Sequence, residues 1–335
     1  MTPRDKPTVE GGTPVFEPPV GRMLERFEAN MARPFRAEDV PAIRERFARM
    51  GAPTTLAEGV SMQDVEVRGV QVRLYRPPVE GPLPLHLHLH GGGFIFGSAL
   101  SGAHDGVLSR RAAATRSLVA SVQYRKAPEH RFPAGIEDSY AALAGLVEDA
   151  ANLGIEPRAV SVGGVSSGGN FAAVLALMAR DRGGPSLILQ LLEIAGTDLT
   201  KSSYAWRNFR RGHDTTRERD LAMVDLYLPD LPSRADPYAS PLFARDLMGL
   251  PPAWVMNAEH DPRRDECEAY VARLQDAGVE AVARTQAGHV HGSMSLPDWA
   301  PAQAWEAEAN RVLAAANVAA LAGESPRLGG LTSGA

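Results

Sequence analysis

Cysteine is nearly absent from this chain. Its one copy, Cys267, excludes an internal disulfide framework and a cysteine-based zinc site. No run of about 18 apolar residues occurs, so no membrane-spanning helix is expected. The N-terminal M-T-P-R-D-K-P-T-V-E-G-G-T-P likewise has no apolar core of the kind a secretory leader carries. These shortages point to a reducing, cytoplasmic location. An excess of one charge is also missing: 35 basic and 40 acidic side chains leave a net charge of -5, which gives no electrostatic case for a nucleic-acid partner. What remains is an ordinary globular composition, 44% hydrophobic over 335 residues, enough to bury a core as one large α/β domain or two small ones.

The chain is organised around V-S-V-G-G-V-S-S-G-G-N at 160–170. A short β-branched run enters it and an alanine- and leucine-rich helical segment, 171–180, leaves it, which implies strand, sharp turn, helix. Within the turn, Gly164, Val165, Ser166, Ser167 and Gly168 spell G-x-S-x-G, the pattern of a nucleophile elbow. A serine held in a strained backbone conformation with its hydroxyl exposed needs neighbours without Cβ atoms, so that strand and helix can approach. A glycine-rich connection without chemistry is the competing reading of the pentapeptide alone.

Residues 1 to about 18 are proline- and glycine-rich and are expected to form a mobile arm. Apolar stripes at Met23, Leu24, Phe27 and Met31, then at Val40, Ile43, Phe47 and Met50 with Asp39 as a cap and Pro41 in the first turn, predict two short helices. Alternation over 64–75, broken at Gly69, predicts a two-stranded hairpin. Leu85 to His90 reads L-H-L-H-L-H, which places His86, His88 and His90 on one face of a strand. That spacing raises a metal site, but no carboxylate partner stands nearby, and hydrogen-bonded strand histidines are the better reading. The glycines that follow, Gly91 to Gly93, lack the G-K-[ST] ending of a phosphate loop; consecutive N-H groups unobstructed by side chains suit an oxyanion loop instead.

Helix and strand then alternate: helix at 103–114, strand at 117–124, helix at 134–150, strand at 160–162, helix at 171–180, strand at 187–194. After a lapse, the rhythm resumes with strand at 253–259, helix at 264–277, strand at 280–286 and a final helix at 302–320. This predicts a mostly parallel sheet with helices on both faces. The lapse from 197 to about 232 is dense in arginine and aromatics, including Trp206, Phe209, Arg210 and Arg211; acidic residues are interleaved, so it reads as a helical insertion with one solvated face. The glycine- and serine-rich end is expected to be disordered.

A serine nucleophile needs a base, and the base needs an acid to orient it. On α/β-hydrolases these follow in the order Ser, Asp or Glu, His, at the carboxyl ends of strands. Ser166, Asp261 and His291 obey that order, the last two just past the strands at 253–259 and 280–286. Singly, Asp261 could be a helix cap and His291 a surface residue; jointly they fit the elbow.

Five stretches together carry a family resemblance: H-G-G-G-F at 90–94, Y-R-K-A-P-E-H-R-F-P-A at 124–134, G-V-S-S-G-G-N at 164–170, D-P-R-R-D-E at 261–266 and G-H-V-H-G at 288–292. From about residue 83 to the final helix the chain resembles the hormone-sensitive-lipase-like carboxylesterases of the α/β-hydrolase superfamily. The resemblance implies an α/β-hydrolase fold with a helical cap and no cofactor. It implies Ser166 as nucleophile, Asp261 as acid, His291 as base, and an oxyanion hole from the N-H groups of Gly91, Gly92 and Ser167, with His289 at a variable position. The partner would be a small-molecule ester, and a homodimer is compatible with the family. The expected division is an arm and cap helices over 1–55, core over 56–196, cap insertion over 197–235, core over 236–322 and a flexible tail over 323–335. Phe94, Val165, Trp206 and Phe209 are expected to border the substrate, and Met23, Phe27, Met31, Trp206 and Phe209 to close an apolar acyl pocket suited to short- and medium-chain esters. Three residues depart from the family pattern: Val165 for aspartate, Ser167 for alanine and Ser293 for phenylalanine. An amidase, lactonase or acyltransferase would use the same three side chains; a ligand-binding protein on this fold, resembling the plant gibberellin receptors, would lack the histidine present at 291.

Overall fold

The alternation of strand and helix read from the sequence is built around one eight-stranded sheet in a computed structural model of the chain, which describes residues 16–30, 36–50, 55–208 and 217–332. Two helices come first, α1 (Pro18–Asn30) and α2 (Val40–Met50), followed by the hairpin β1 (Ser61–Val67) and β2 (Val70–Arg76). Then come β3 (Leu83–Leu89), α3 (Asp105–Thr115), β4 (Leu118–Gln123), α4 (Ala134–Glu148), α5 (Ala150–Leu153), β5 (Ile155–Val165), α6 (Ser167–Asp181) and β6 (Leu189–Glu193). The chain ends with α7 (Tyr204–Asn208), α8 (Arg217–Tyr227), β7 (Ala253–His260), α9 (Arg264–Asp276), β8 (Ala281–Val290) and α10 (Ala300–Leu321).

The strand order is β1-β2-β4-β3-β5-β6-β7-β8. β2 pairs antiparallel with both β1 and β4, and every pair from β4 to β8 is parallel. Every residue of β3 is buried, because helices cover both faces of a parallel sheet and leave no side of the strand to water. One core cluster joins Leu85, Leu87, Val160, Val162, Phe171 and Leu175; another, built on Leu191, Trp254, Trp305 and Leu313, covers the other side. All parallel strands deliver their carboxyl ends to one edge of the sheet, where the loops after β3, β5, β7 and β8 meet.

The N-terminal helices are docked. Val20 of α1 is buried with Val290, Trp299 and Ala302, with Met23 and Leu24 packed alongside, and Glu17 accepts from Trp299 Nε1 at 2.8 Å. Arg44 of α2 donates to the carbonyls of Ile95 and Ala127 at 2.8 and 2.7 Å, which ties α2 to the loop that follows β3. Three strands extend beyond their expected bounds: β5 begins at Ile155, β7 reaches His260 and β8 reaches Val290, since ladder pairing with neighbours recruits residues whose own pattern is weak. The tail, expected to be flexible, is placed against the fold as far as its description runs. Leu328 is fully buried in the cluster around Trp305, and the backbone N-H groups of Leu328 and Gly329 donate to Glu280 Oε1 at 2.6 and 2.9 Å. One well-buried leucine and two charge-assisted bonds outweigh the glycine-rich composition around them. Met31, Phe209, Arg210 and Arg211 lie outside the described residues, as does the arm over 1–15; so do the side chains of Phe47 and Met50. Among the described residues no helix is long and apolar enough to cross a membrane.

Candidate active site

At the carboxyl end of β5 the chain turns into α6 through Ser166, whose φ of 56° and ψ of -116° lie where few residues with a Cβ settle. The flanking glycines make the turn sterically possible. A Cβ on Gly164 would stand 2.5 Å from the Leu89 carbonyl oxygen, and one on Gly168 would stand 2.0 Å from it. The Ser166 N-H donates to the Glu193 carbonyl at 2.9 Å, which pins the turn to β6.

The loop after β8 brings His291 to this serine, with Nε2 3.0 Å from Ser166 Oγ. Its other nitrogen, Nδ1, lies 2.6 Å from Oδ2 of Asp261, which stands just past β7. Ser293 stitches that loop together: its hydroxyl accepts the Val290 N-H at 3.1 Å, donates to the Val290 carbonyl at 2.9 Å and lies 2.9 Å from His289 Nδ1. His289 itself is buried against Trp299 and Trp305, away from the serine. Burial would raise the Asp261 pKa, but His291 and Arg263 hold it well below the usual carboxylate range. Burial lowers His291, and the Arg263 guanidinium lowers it further, against the upward pull of Asp261 and Asp220.

The expected oxyanion donors lie beside this line. Gly91 is pressed against the elbow, where a Cβ would meet the Val165 carbonyl oxygen at 2.9 Å, and Gly92 holds a φ of +127°. His90 Nδ1 lies 2.8 Å from the Gly91 carbonyl, and the Tyr124 hydroxyl donates to the His90 carbonyl at 2.7 Å, so the loop's shape is fixed from beneath. Ser167 opens α6, placing its N-H at the positive end of the helix dipole. Gly93, which was not among the expected donors, lines the cavity beside Ser166 together with Ser167.

That cavity holds about 30 Å³, room for roughly one water. Phe94 and Leu199 line it, as do Asp220, Met223 and Val224, three residues on one face of α8 at i, i+3 and i+4 spacing. Lys201 and Arg263 complete the wall. The expected substrate-bordering residues therefore divide. Phe94 is in place, stacked on Tyr227 at a centroid distance of 4.0 Å. Val165 instead packs towards the cluster around Trp305, because alternation along β5 turns its side chain away from the cavity. Trp206 is buried behind the wall; its Nε1 donates to Glu266 Oε2 at 2.9 Å, and Lys201 Nζ sits 4.6 Å from its ring centroid. Among the described residues the lining is thus mixed rather than apolar, and α8, not Met23 or Phe27 of α1, contributes to it. Nothing in the sequence pattern pointed to Lys201, Asp220 or Arg263, which come from three separate segments.

The strand histidines stand beneath the site. His86 Nδ1 lies 3.0 Å from Ser161 Oγ, and burial holds His86, His88 and His90 well below the ordinary imidazole range, His90 at about 3. Among the described residues no group of three or more histidine, cysteine, aspartate or glutamate side chains is arranged to hold a metal ion.

The chain also resembles known proteins along most of its length. A family model described as alpha/beta hydrolase fold matches residues 86–295. Carboxylesterase NlhH of Mycobacterium tuberculosis is 35% identical over 312 residues, covering 89% of this chain and 94% of that one. An arylesterase of Saccharolobus solfataricus is 34% identical over 71% of this chain and 76% of its own. Among solved structures, a bacterial heroin esterase superposes with a TM-score of 0.81 at 33% identity, over 90% of this chain and 98% of that one. A hyperthermophilic esterase from Pyrobaculum calidifontis matches with the same TM-score, 0.81, at 34% identity. On the strength of the elbow, the sheet order and these likenesses, the chain belongs to the hormone-sensitive-lipase-like carboxylesterases of the α/β-hydrolase superfamily.

Proposed function

We propose that this protein hydrolyses carboxylic esters of small acyl groups through an acyl-enzyme on Ser166. The observation that carries this reading is the continuous line from Asp261 through His291 to Ser166, with separations of 2.6 and 3.0 Å, on a strained turn. His291 takes the serine proton at Nε2 as Oγ attacks the carbonyl carbon, and Asp261 holds the imidazole in the tautomer that leaves Nε2 free to accept. The oxyanion is assigned to the N-H groups of Gly91, Gly92 and Ser167, with Gly93 at the cavity edge. Collapse of the tetrahedral intermediate expels the alcohol, which receives its proton from the imidazolium, and water then repeats the sequence on the acyl-enzyme. Every proton in the cycle moves among Ser166, His291, substrate and water.

A small cavity with three charged side chains in its wall favours short acyl groups. Each added methylene gains roughly 0.8 kcal/mol until the space is full; beyond that it must displace the ion pairs. Across a chromogenic ester series, kcat/KM is expected to peak at the shortest acyl chains and then fall. Ser166→Ala should lower kcat at least about 10⁴-fold on the best of these esters. A variant that retains turnover, or a peak on long-chain substrates, contradicts the reading.

A further inference from the structure

Asp261 faces more than the histidine. While Oδ2 accepts from His291, Oδ1 accepts the Arg263 backbone N-H at 2.9 Å and stands 3.4 Å from Arg263 Nη1. The same Nη1 lies 3.3 Å from His291 Nδ1. The proton on that nitrogen is committed to Asp261, so the guanidinium cannot donate to it; the contact is a positive charge against the edge of the imidazole. The far nitrogen, Nη2, is bonded to Asp220 of α8, and the second oxygen of Asp220 accepts from Lys201 Nζ at 2.9 Å. The side chains of Lys201, Asp220 and Arg263 are 2%, 6% and 8% exposed, so water screens these charges little.

The charges alternate along the chain of contacts: Asp261, Arg263, Asp220, Lys201. Buried ion pairs are poor stabilisers, because desolvation consumes most of their Coulombic gain. Stability alone therefore gives little reason for this row, and its inner end touches the two groups that manage the serine proton. Lys201 supplies a further sign of constraint, being held at a φ of +54°.

We propose that Arg263 and Asp220 are positioning residues for the reaction: Arg263 fixes the Asp261 carboxylate and biases His291 towards its neutral form, and Asp220 limits that bias. The proposal rests on the roles assigned above to Ser166, Asp261 and His291. The groups facing His291 are Asp261 and Arg263 from the loop after β7, Asp220 from α8 and the neutral hydroxyl of Ser166 from the elbow. Lys201 stands one contact further out, behind Asp220, with Glu266 beyond Trp206. Removing Arg263 takes away the cation that opposes the imidazolium and leaves Asp220 less neutralised. Both changes stabilise the imidazolium. Removing the charge of Asp220 leaves the guanidinium unopposed and acts in the reverse direction.

The test is the pH dependence of kcat/KM for the wild type, Arg263→Leu, Arg263→Lys and Asp220→Asn, each normalised to the fraction of Ser166 labelled by a fluorophosphonate. The acid limb should move up by about one pH unit in Arg263→Leu, as expected for loss of a neighbouring charge. It should stay close to the wild type in Arg263→Lys and move down in Asp220→Asn. Arg263→Gln, which keeps a donor for Asp220 without the charge, serves in place of leucine if that variant does not fold. A fall in kcat/KM at every pH with an unmoved acid limb in both charge-removing variants would show a merely structural role and overturn the proposal. Persisting turnover in Ser166→Ala, or a wild type without an acid limb, would instead overturn the triad on which it rests.

Discussion

Ser166 reaches His291 because the backbone at 166 is bent into a positive φ and held there by a bond from its own N-H to β6. The histidine must be neutral to accept the serine proton, and burial together with Arg263 lowers its pKa. The acid limb of kcat/KM should therefore lie below the ordinary imidazole value of about 6.5, with activity rising as pH increases through it. A limb at or above that value would mean that Asp261 and Asp220 outweigh burial. The juxtaposition of Ser166, His291 and Asp261 was legible in the sequence because the chemistry proposed for them demands those types in a set order beside glycines. Val165 was misread because adjacency to a nucleophile does not tell which way an alternating strand turns a side chain. Arg263 was not legible as a site residue: besides the nearby Asp261, its partners Asp220 and His291 lie 43 and 28 positions away, and only the approach of α8 and the β8 loop makes the cluster.

At the scale of the element, the strand, elbow and helix follow from local pattern, and the tight packing between them from glycine. Gly168→Ala would place a methyl 2.0 Å from the Leu89 carbonyl oxygen. Backbone atoms cannot yield as a flexible side chain can, so this substitution should cost about 1–3 kcal/mol or more and displace Ser166. Circular dichroism melting alongside turnover would show it; unchanged melting and activity would disprove so close an approach. The segment expected to form the cap was only half legible. Its arginine-dense sequence reads as a helical insertion with one solvated face, but the pattern does not say that the other face of α8 presents Asp220, Met223 and Val224 to the cavity or that Trp206 of α7 anchors Glu266. Burial pushes Glu266 up to about 8 against the pull of Lys201, so it is a poorly tolerated group to leave without a donor. Trp206→Phe should destabilise the fold by roughly 1–3 kcal/mol in urea titration while leaving the order of acyl preference unchanged. A changed acyl order in a fully stable variant would return Trp206 to the substrate wall.

Across the whole molecule, the buried histidine face of β3 ties stability to pH. His86 and His88 have folded-state pKa values depressed by burial, so both are neutral in the fold and take up protons on unfolding near pH 6.5. Their stabilising contribution is complete above that value and is lost as pH falls below it. The urea midpoint should decline from pH 7 to pH 5, and His88→Leu, which removes one such proton, should decline less steeply. An equal slope in the variant would show that His88 does not carry the effect. The tail acts at the same scale. Leu328→Ala empties a site in the Trp305 cluster and should cost about 2–5 kcal/mol, a penalty no flexible tail would impose.

If Ser166 is a nucleophile activated by His291, a fluorophosphonate at neutral pH should report it directly through the intact mass and peptide map of the treated protein. One adduct per chain is expected, on the Ser166 peptide, formed far more slowly in His291→Ala and absent in Ser166→Ala. An adduct on another residue, or equal labelling rates with and without His291, would contradict it.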